Sequence, residues 1–272
     1  MPHQTVFESF WEPLPSLSVS PLPNNATYRQ IQASAQSTVA MDAPKAFILE
    51  SASILLQVAG NRLPTNASSL LERMPQVEKS HLLHTESDVI RASIQYLLHP
   101  INVATSRLVP SSGRLFCRGE AREGGGCRTD LRWIYWNGSG WTNIAVLEFK
   151  NTQVLRWSDF KDAVSDQNNA KAMVDSAYGA HPHYTHFTNN AVWLSKQARK
   201  YAQNTGASDV AIFDWGKMFI FNFYGMAEHL QNPVLANGIW FEEGNSSQPG
   251  HTFRMVLFGF LVRALQRQGI IT

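Results

Sequence analysis

The chain has 272 residues, enough for one large domain or one core with extensions. Apolar residues make up 44% and charged residues 16%, with eight Trp and fifteen Phe, which excludes an intrinsically disordered chain. The formal net charge of +2 advertises no nucleic-acid partner through global basicity, and no apolar run approaches a membrane span.

Residues 1–40 are rich in Ser, Pro, Asn and Gln, and Pro13, Pro15, Pro21 and Pro23 disfavour regular structure. They predict a flexible or loosely docked arm, with Phe7, Phe10 and Trp11 as anchors or as a short motif for a protein partner. No apolar segment of signal-peptide type follows Met1, so an intracellular protein, nuclear or cytoplasmic, is expected, and the sequons at Asn25, Asn66, Asn137 and Asn245 are read as coincidental. In the same compartment Cys117 and Cys127 are expected as free thiols.

Residues 41–82 read as an accessory helical region. Ile48, Ala52, Leu55, Leu56 and Ala59 recur at helical spacing and predict a helix from Ala43 to Val58. A second short helix is expected from Asn66, its cap, to Glu72. Residues 83–225 carry the core. Thr85 caps a helix from Glu86 to Leu98, whose apolar stripe includes Val89, Ile90, Ile94, Leu97 and Leu98, and His99-Pro100 is expected to close it. Gly113 to Arg118 predicts a strand, and Gly119 to Gly126 a glycine-rich turn. That turn matches neither dinucleotide nor nucleotide-loop spacing and precedes no helix.

Two strands follow, Cys127 to Tyr135 and Asn143 to Lys150, joined by a tight turn at Asn137-Gly138-Ser139-Gly140. Ser158 opens a predicted helix reaching Tyr178. Three histidines, His181, His183 and His186, fall in a proline-containing loop that fixes no tetrahedral geometry, so zinc is not expected there. Asn190 to Ser195 is a short strand or helix start, and a helix carries Lys196 to Asn204. Asp209 to Trp215 and Met218 to Tyr224 predict a hairpin. Its first strand, Val210-Ala211-Ile212-Phe213, is apolar on both faces, as in a central strand. Residues 226–272 comprise a long polar loop, Asn232 to Gly250, and a terminal helix from His251 to Gln268.

The chemistry concentrates in the first hairpin. Side chains alternate along a strand, so Glu148 and Lys150 share one face and Phe149 takes the other. Asp130 on the neighbouring strand brings a second carboxylate beside Glu148. Two adjacent carboxylates repel, and a hard cation between them relieves the repulsion. Such an ion orients water against a phosphate. Arg107, Arg114, Arg118, Arg122, Arg128 and Arg132 crowd the approach and form a local patch suited to phosphates.

Asp130, seventeen intervening residues, and then Glu148-Phe149-Lys150 resemble the D…ExK pattern of the PD-(D/E)XK nuclease superfamily. The resemblance covers about half the chain, from Glu86 to Tyr224. It implies an α/β fold with a restriction-endonuclease-like αβββαβ core, a mixed central sheet, and here helical N- and C-terminal extensions. It also implies Mg²⁺- or Mn²⁺-dependent hydrolysis of DNA or RNA. Asp130, Glu148 and the Phe149 carbonyl would ligate the ion, and Lys150 would position or help deprotonate the attacking water. Glu86, before the first core strand, is carried over as an assisting carboxylate, although it also simply suits a helix N-terminus. Relatives place a glutamine from a later helix in the site, and Gln167 and Gln197 compete for that role. Gln197 with Tyr201 forms a Q-x-x-x-Y pair on one helical face, similar to exonuclease-like branches. Arg128 and Arg132 would hold phosphates. Thr129 departs from the pattern, standing where many relatives have proline. An alternative reading keeps the fold without the nuclease activity, with Trp133, Tyr135, Trp136, Trp141 and Trp157 lining an apolar pocket for a small molecule.

Overall fold

A computed structural model describes residues 4–22, 26–31, 36–65, 67–78, 80–123, 127–225, 234–244 and 249–272. Asn66 and Gly124, Gly125 and Gly126 lie outside the described residues. The strands are β1 (Ser18–Val19), β2 (Ala46–Leu49), β3 (Leu82–Leu83), β4 (Arg114–Glu123), β5 (Cys127–Trp136), β6 (Trp141–Phe149), β7 (Val164–Ser165), β8 (Asp209–Phe213), β9 (Met218–Asn222) and β10 (Leu235–Phe241). The helices are α1 (Val6–Ser9), α2 (Gln36–Val39), α3 (Ser53–Arg62), α4 (Glu86–Ser93), α5 (His99–Ser106), α6 (Trp157–Phe160), α7 (Ala170–Ala180), α8 (Asn189–Thr205) and α9 (Phe253–Arg267).

The fold is mixed α/β around an eight-stranded sheet of order β4-β5-β6-β8-β9-β10-β2-β7. β4, β5 and β6 form an antiparallel meander, and β8 then joins β6 in parallel. All five residues of β8 are buried, as its two apolar faces predict. One sheet face packs Leu131, Trp133, Leu147, Phe213 and Ile220 against α9 and α5. The other packs Val146, Val210, Ile212 and Phe221 against α8. α9 is buried around its whole circumference from Phe253 to Leu265, as befits a core helix. Gly259 lets α3 lie directly on it, since a Cβ there would strike the Leu55 carbonyl.

Several boundaries depart from the sequence expectation, each for a physical reason. Residues 43–58 split into β2 and α3 because Ala46–Leu49 is taken up between β10 and β7, and a short apolar run fits a strand as readily as a helix. The polar segment 232–250 contains β10, paired on both sides. The helix opened by Thr85 passes through a π-helical turn, Ile94–Leu98, and continues as α5; Pro100 brings no N–H, and the Tyr96 carbonyl four residues before it accepts from Arg254 instead. The expected 158–178 helix breaks into α6, the edge strand β7 and α7. β4 runs on to Glu123, so strand replaces much of the expected glycine-rich turn.

The described N-terminal residues pack on the core. Thr5 and Glu8 form a capping box on α1, Phe10 is fully buried, and β1 pairs in parallel with β3. The buried Arg254 guanidinium donates to the carbonyls of Tyr96 at 2.6 Å, Ser9 at 2.8 Å and Glu12 at 3.0 Å, fastening this segment to α9. Cys117 is a free thiol, and its cross-strand partner is Trp133 rather than Cys127. No helix among the described residues is long and apolar enough to cross a membrane.

Candidate active site

The β5–β6 ladder pairs Leu131 with Leu147, so one step further along the strands Asp130 comes beside Glu148. Leu131 and Leu147 face the α9 side, and alternation turns Asp130 and Glu148 toward α8. The carboxylate of Asp130 accepts the Phe149 N–H at 2.9 Å. The Lys150 N–H donates to the Phe213 carbonyl at 2.8 Å, holding the Glu148-Phe149-Lys150 segment against β8.

Glu148 is the hub. Its Oε1 accepts from Lys150 Nζ at 2.5 Å and from Gln197 Nε2 at 2.6 Å. Gln197 Nε2 also donates to Tyr201 Oη at 2.7 Å, one turn along α8. Glu148 is 3% exposed, and its Oε2 has no hydrogen-bond partner among the described residues. A buried anionic oxygen without a partner is costly unless a cation offsets it. Glu86, the first residue of α4, places Oε2 3.7 Å from Lys150 Nζ.

The electrostatics follow from three carboxylates around one amine. Burial, and then the Glu148 charge, push the Asp130 carboxyl up to about 8. Glu86 is raised as well, by burial opposed by Lys150. Burial pulls Lys150 down, but Glu148, Glu86 and Asp130 together outweigh it, so the amine holds its proton more tightly than a free lysine. Burial, followed by the charges of Glu148 and Asp130, raises the Tyr201 phenol well above its ordinary range.

The site opens into a cavity of about 990 Å³ whose wall includes Glu86, Glu148, Lys150 and Gln197. The N-terminal segment 26–31 forms another side of it. Asn190, buried on α8, grips that segment twice: its Oδ1 accepts the Ile31 N–H at 2.9 Å and its Nδ2 donates to the Arg29 carbonyl at 2.7 Å. Tyr28 lies under the Arg156 guanidinium, 3.3 Å from ring centroid to carbon. The sequence offers no signal for this wall, because Tyr28 to Ile31 carries no periodicity and follows a proline-rich run.

The structure therefore brings Asp130, Glu148, Lys150, Gln197, Tyr201 and Glu86 together. It does not bring Gln167, which is exposed in the turn after β7, at the opposite edge of the sheet. Arg128 is exposed and near enough to Glu86 to lower its carboxyl, whereas Arg132 is buried in the sheet. The hairpin aromatics do not line this cavity: Trp133 is core, with Nε1 donating to Asn102 at 2.9 Å, and Trp136 and Trp141 lie at the other end of the hairpin. Among the described residues no group of three or more His, Cys, Asp or Glu side chains is arranged to hold a metal ion. Asp130 and Glu148 supply two carboxylates, and Glu86 is drawn to Lys150 instead.

The geometry defines a buried acid–lysine site in a mixed α/β protein. No family model matches the chain, and neither does any curated protein or solved structure.

Proposed function

We propose that this protein is an intracellular, Mg²⁺- or Mn²⁺-dependent phosphodiesterase of nucleic acid with a restriction-endonuclease-like core. The observation that carries the reading is the unpartnered, buried Oε2 of Glu148 beside the raised carboxyl of Asp130. The order α4, β4, β5, β6, α8 and β8, with α5 inserted before β4 and α6, β7 and α7 before α8, and with β8 parallel to β6, supports the αβββαβ assignment. In this reading Asp130, Glu148 and the Phe149 carbonyl would hold the ion, an all-oxygen donor set that suits Mg²⁺. The ion would supply Lewis acidity toward a phosphate oxygen and lower the pKa of water.

The remaining roles fall to the chain itself. Lys150 keeps its proton, so it serves as a hydrogen-bond donor and a fixed positive charge for the developing phosphorane rather than as a base. Gln197 holds the Glu148 carboxylate through Oε1, the oxygen that Lys150 also binds, and leaves Oε2 available. Tyr201 remains a phenol and orients Gln197. Arg128, exposed and close enough to Glu86 to act on its charge, would meet substrate phosphate.

The test is hydrolysis of labelled single- and double-stranded DNA and RNA by the purified full chain, with Mn²⁺, with Mg²⁺ and with EDTA. Metal-dependent cleavage is expected, reduced at least about a hundredfold in Asp130→Asn. Cleavage of none of these polymers by a folded protein, or equal cleavage by Asp130→Asn, would overturn the reading.

A further inference from the structure

We propose that the outer strip of the β4–β5–β6 meander is a docking track for single-stranded nucleic acid, leading from an aromatic platform at Trp136 and Trp141 to the acids at Asp130 and Glu148. The end point of the track rests on the hydrolase reading; the track as a binding surface does not.

Strand register carries the argument. Arg118 lies opposite Arg132, Phe116 opposite Ile134 and Arg114 opposite Trp136; Trp136 in turn lies opposite Trp141. Directly opposed residues share a face, and Arg132, Ile134 and Trp136 alternate onto the same face as Asp130. The edge strand therefore presents Arg114, Phe116 and Arg118 in a row on the face that holds the acid pair. From the Asp130 register to the Trp136 register this row spans about 20 Å at ordinary strand rise.

The strip is open. α8 ends at Thr205, whose carbonyl accepts from Asn143 at 2.7 Å, and Gly206 turns the chain away in a left-handed conformation. Beyond that point Phe116 is 37% and Trp141 59% exposed. The rings nonetheless form one cluster, with centroids 5.4 Å apart for Phe116 and Trp141 and 4.8 Å for Trp136 and Trp141. A groove of about 500 Å³ runs beside them, walled by Ser111, Arg114, Phe116, Trp136 and Trp141. Arg114 and Arg118 are exposed and make no ion pair among the described residues.

Exposed rings alternating with unneutralised guanidiniums match the chemistry of an unpaired polynucleotide. Every base has a face that stacks on an aromatic ring whatever its sequence, and each phosphate between bases offers a charge to an arginine. In a duplex the base faces are already stacked on one another, so the platform favours single strands. A protein partner would also value aromatic rings and arginines, so the preference for a polynucleotide rests on guanidiniums that face no acidic partner among the described residues, which phosphates supply at every step.

Binding of a labelled oligothymidylate and of its duplex with oligoadenylate is measured by fluorescence anisotropy on the full chain. EDTA is present throughout, so cleavage plays no part and failure of the hydrolase reading is scored separately. The single strand is expected to bind more tightly than the duplex, and Trp141→Ala and Phe116→Ala each to weaken it about tenfold. Trp141→Phe, which keeps a ring, stays within about threefold of the parent, and Arg114→Gln lowers the slope of log affinity against log salt by about one. Equal affinity for single strand and duplex overturns the proposal, as does indifference to Trp141→Ala. So does a concentration-dependent dimer that Phe116→Ala abolishes while no oligonucleotide binds.

Discussion

Lys150 and Gln197 both grip Oε1 of Glu148, at 2.5 and 2.6 Å, and leave Oε2 without a hydrogen-bond partner among the described residues. The ion pair is buried on both sides, with 10% of the Lys150 side chain and 4% of the Glu148 side chain exposed. Removing one partner strands the other charge. Lys150→Ala is expected to lower unfolding stability by about 3–5 kcal/mol. The double variant Glu148→Gln, Lys150→Met removes both charges and should recover most of that loss, while metal-dependent hydrolysis stays absent. Urea unfolding of the three proteins checks this. A Lys150→Ala chain as stable as the parent would mean that the pair is solvated.

Asp130 is the group for which stability and function pull apart. Its carboxyl sits at about 8 through burial and the Glu148 charge, so at neutral pH without metal the fold holds it mostly protonated, against the ionised form of the unfolded chain. The sign follows: a carboxyl raised above its unfolded value withdraws stability progressively as pH climbs from about 4 to 8. Asp130→Asn keeps an acceptor for the Phe149 N–H and removes the proton uptake that folding otherwise requires. With EDTA at pH 7.5 it should melt a few degrees higher, about 1–2 kcal/mol. Adding Mg²⁺ should raise the Tm of the parent and leave the variant unmoved. A lower Tm for Asp130→Asn in EDTA would contradict this.

A second buried acid tests the pH sense away from the site. Asp214, raised to about 7 by burial, accepts the Leu155 N–H at 2.7 Å through Oδ2 and the Lys217 N–H at 2.9 Å through Oδ1. An asparagine offers one acceptor oxygen, so Asp214→Asn is expected to be less stable at pH 5 by about 1–2 kcal/mol. The parent loses stability between about pH 4 and 7, where the unfolded chain has released a proton that the fold still holds, and the variant does not, so the gap should narrow from pH 5 to 7 and then level off. Denaturation midpoints across that range read it directly, and a gap that widens with pH would show that the anion is the preferred native form.

Much of the site was legible in the sequence because it rests on strand alternation, which is local. Asp130, Glu148 and Lys150 needed only two strands and a turn, and Gln197 with Tyr201 only one helical turn. The partner of that helix was not legible: a glutamine on either of two helices satisfied the same local rule. It took the placement of β7 at the far edge, a long-range event, to put Gln167 out of reach. Ala46–Leu49 and Leu235–Phe241 went unread for the same reason, since four to seven residues become strand only when neighbours supply the ladder. The hydrogen bonds that dock the N-terminal segment run from Asn190 and Arg254 to backbone groups, and backbone groups leave no pattern in side-chain composition.

Arg254 gives a direct handle on that docking. Burial draws its guanidinium down to about 10, and its donors are spent on carbonyls of the N-terminal segment and of Tyr96. Arg254→Met should orphan these carbonyls and lower stability by about 2–4 kcal/mol. Protease sites in residues 4–22 should open before the core unfolds. Limited proteolysis followed by mass spectrometry checks it; protection equal to the parent would mean that Phe10 and Val6 alone hold the segment.

The central claim is that a divalent ion belongs between two strand carboxylates. Anomalous diffraction from crystals grown with Mn²⁺ tests it most directly. One peak is expected with oxygen atoms of both Asp130 and Glu148 at about 2.0–2.6 Å, absent from Asp130→Asn crystals. A Mn²⁺-saturated crystal with no peak there, and with Glu148 still bound only to Lys150 and Gln197, would contradict it.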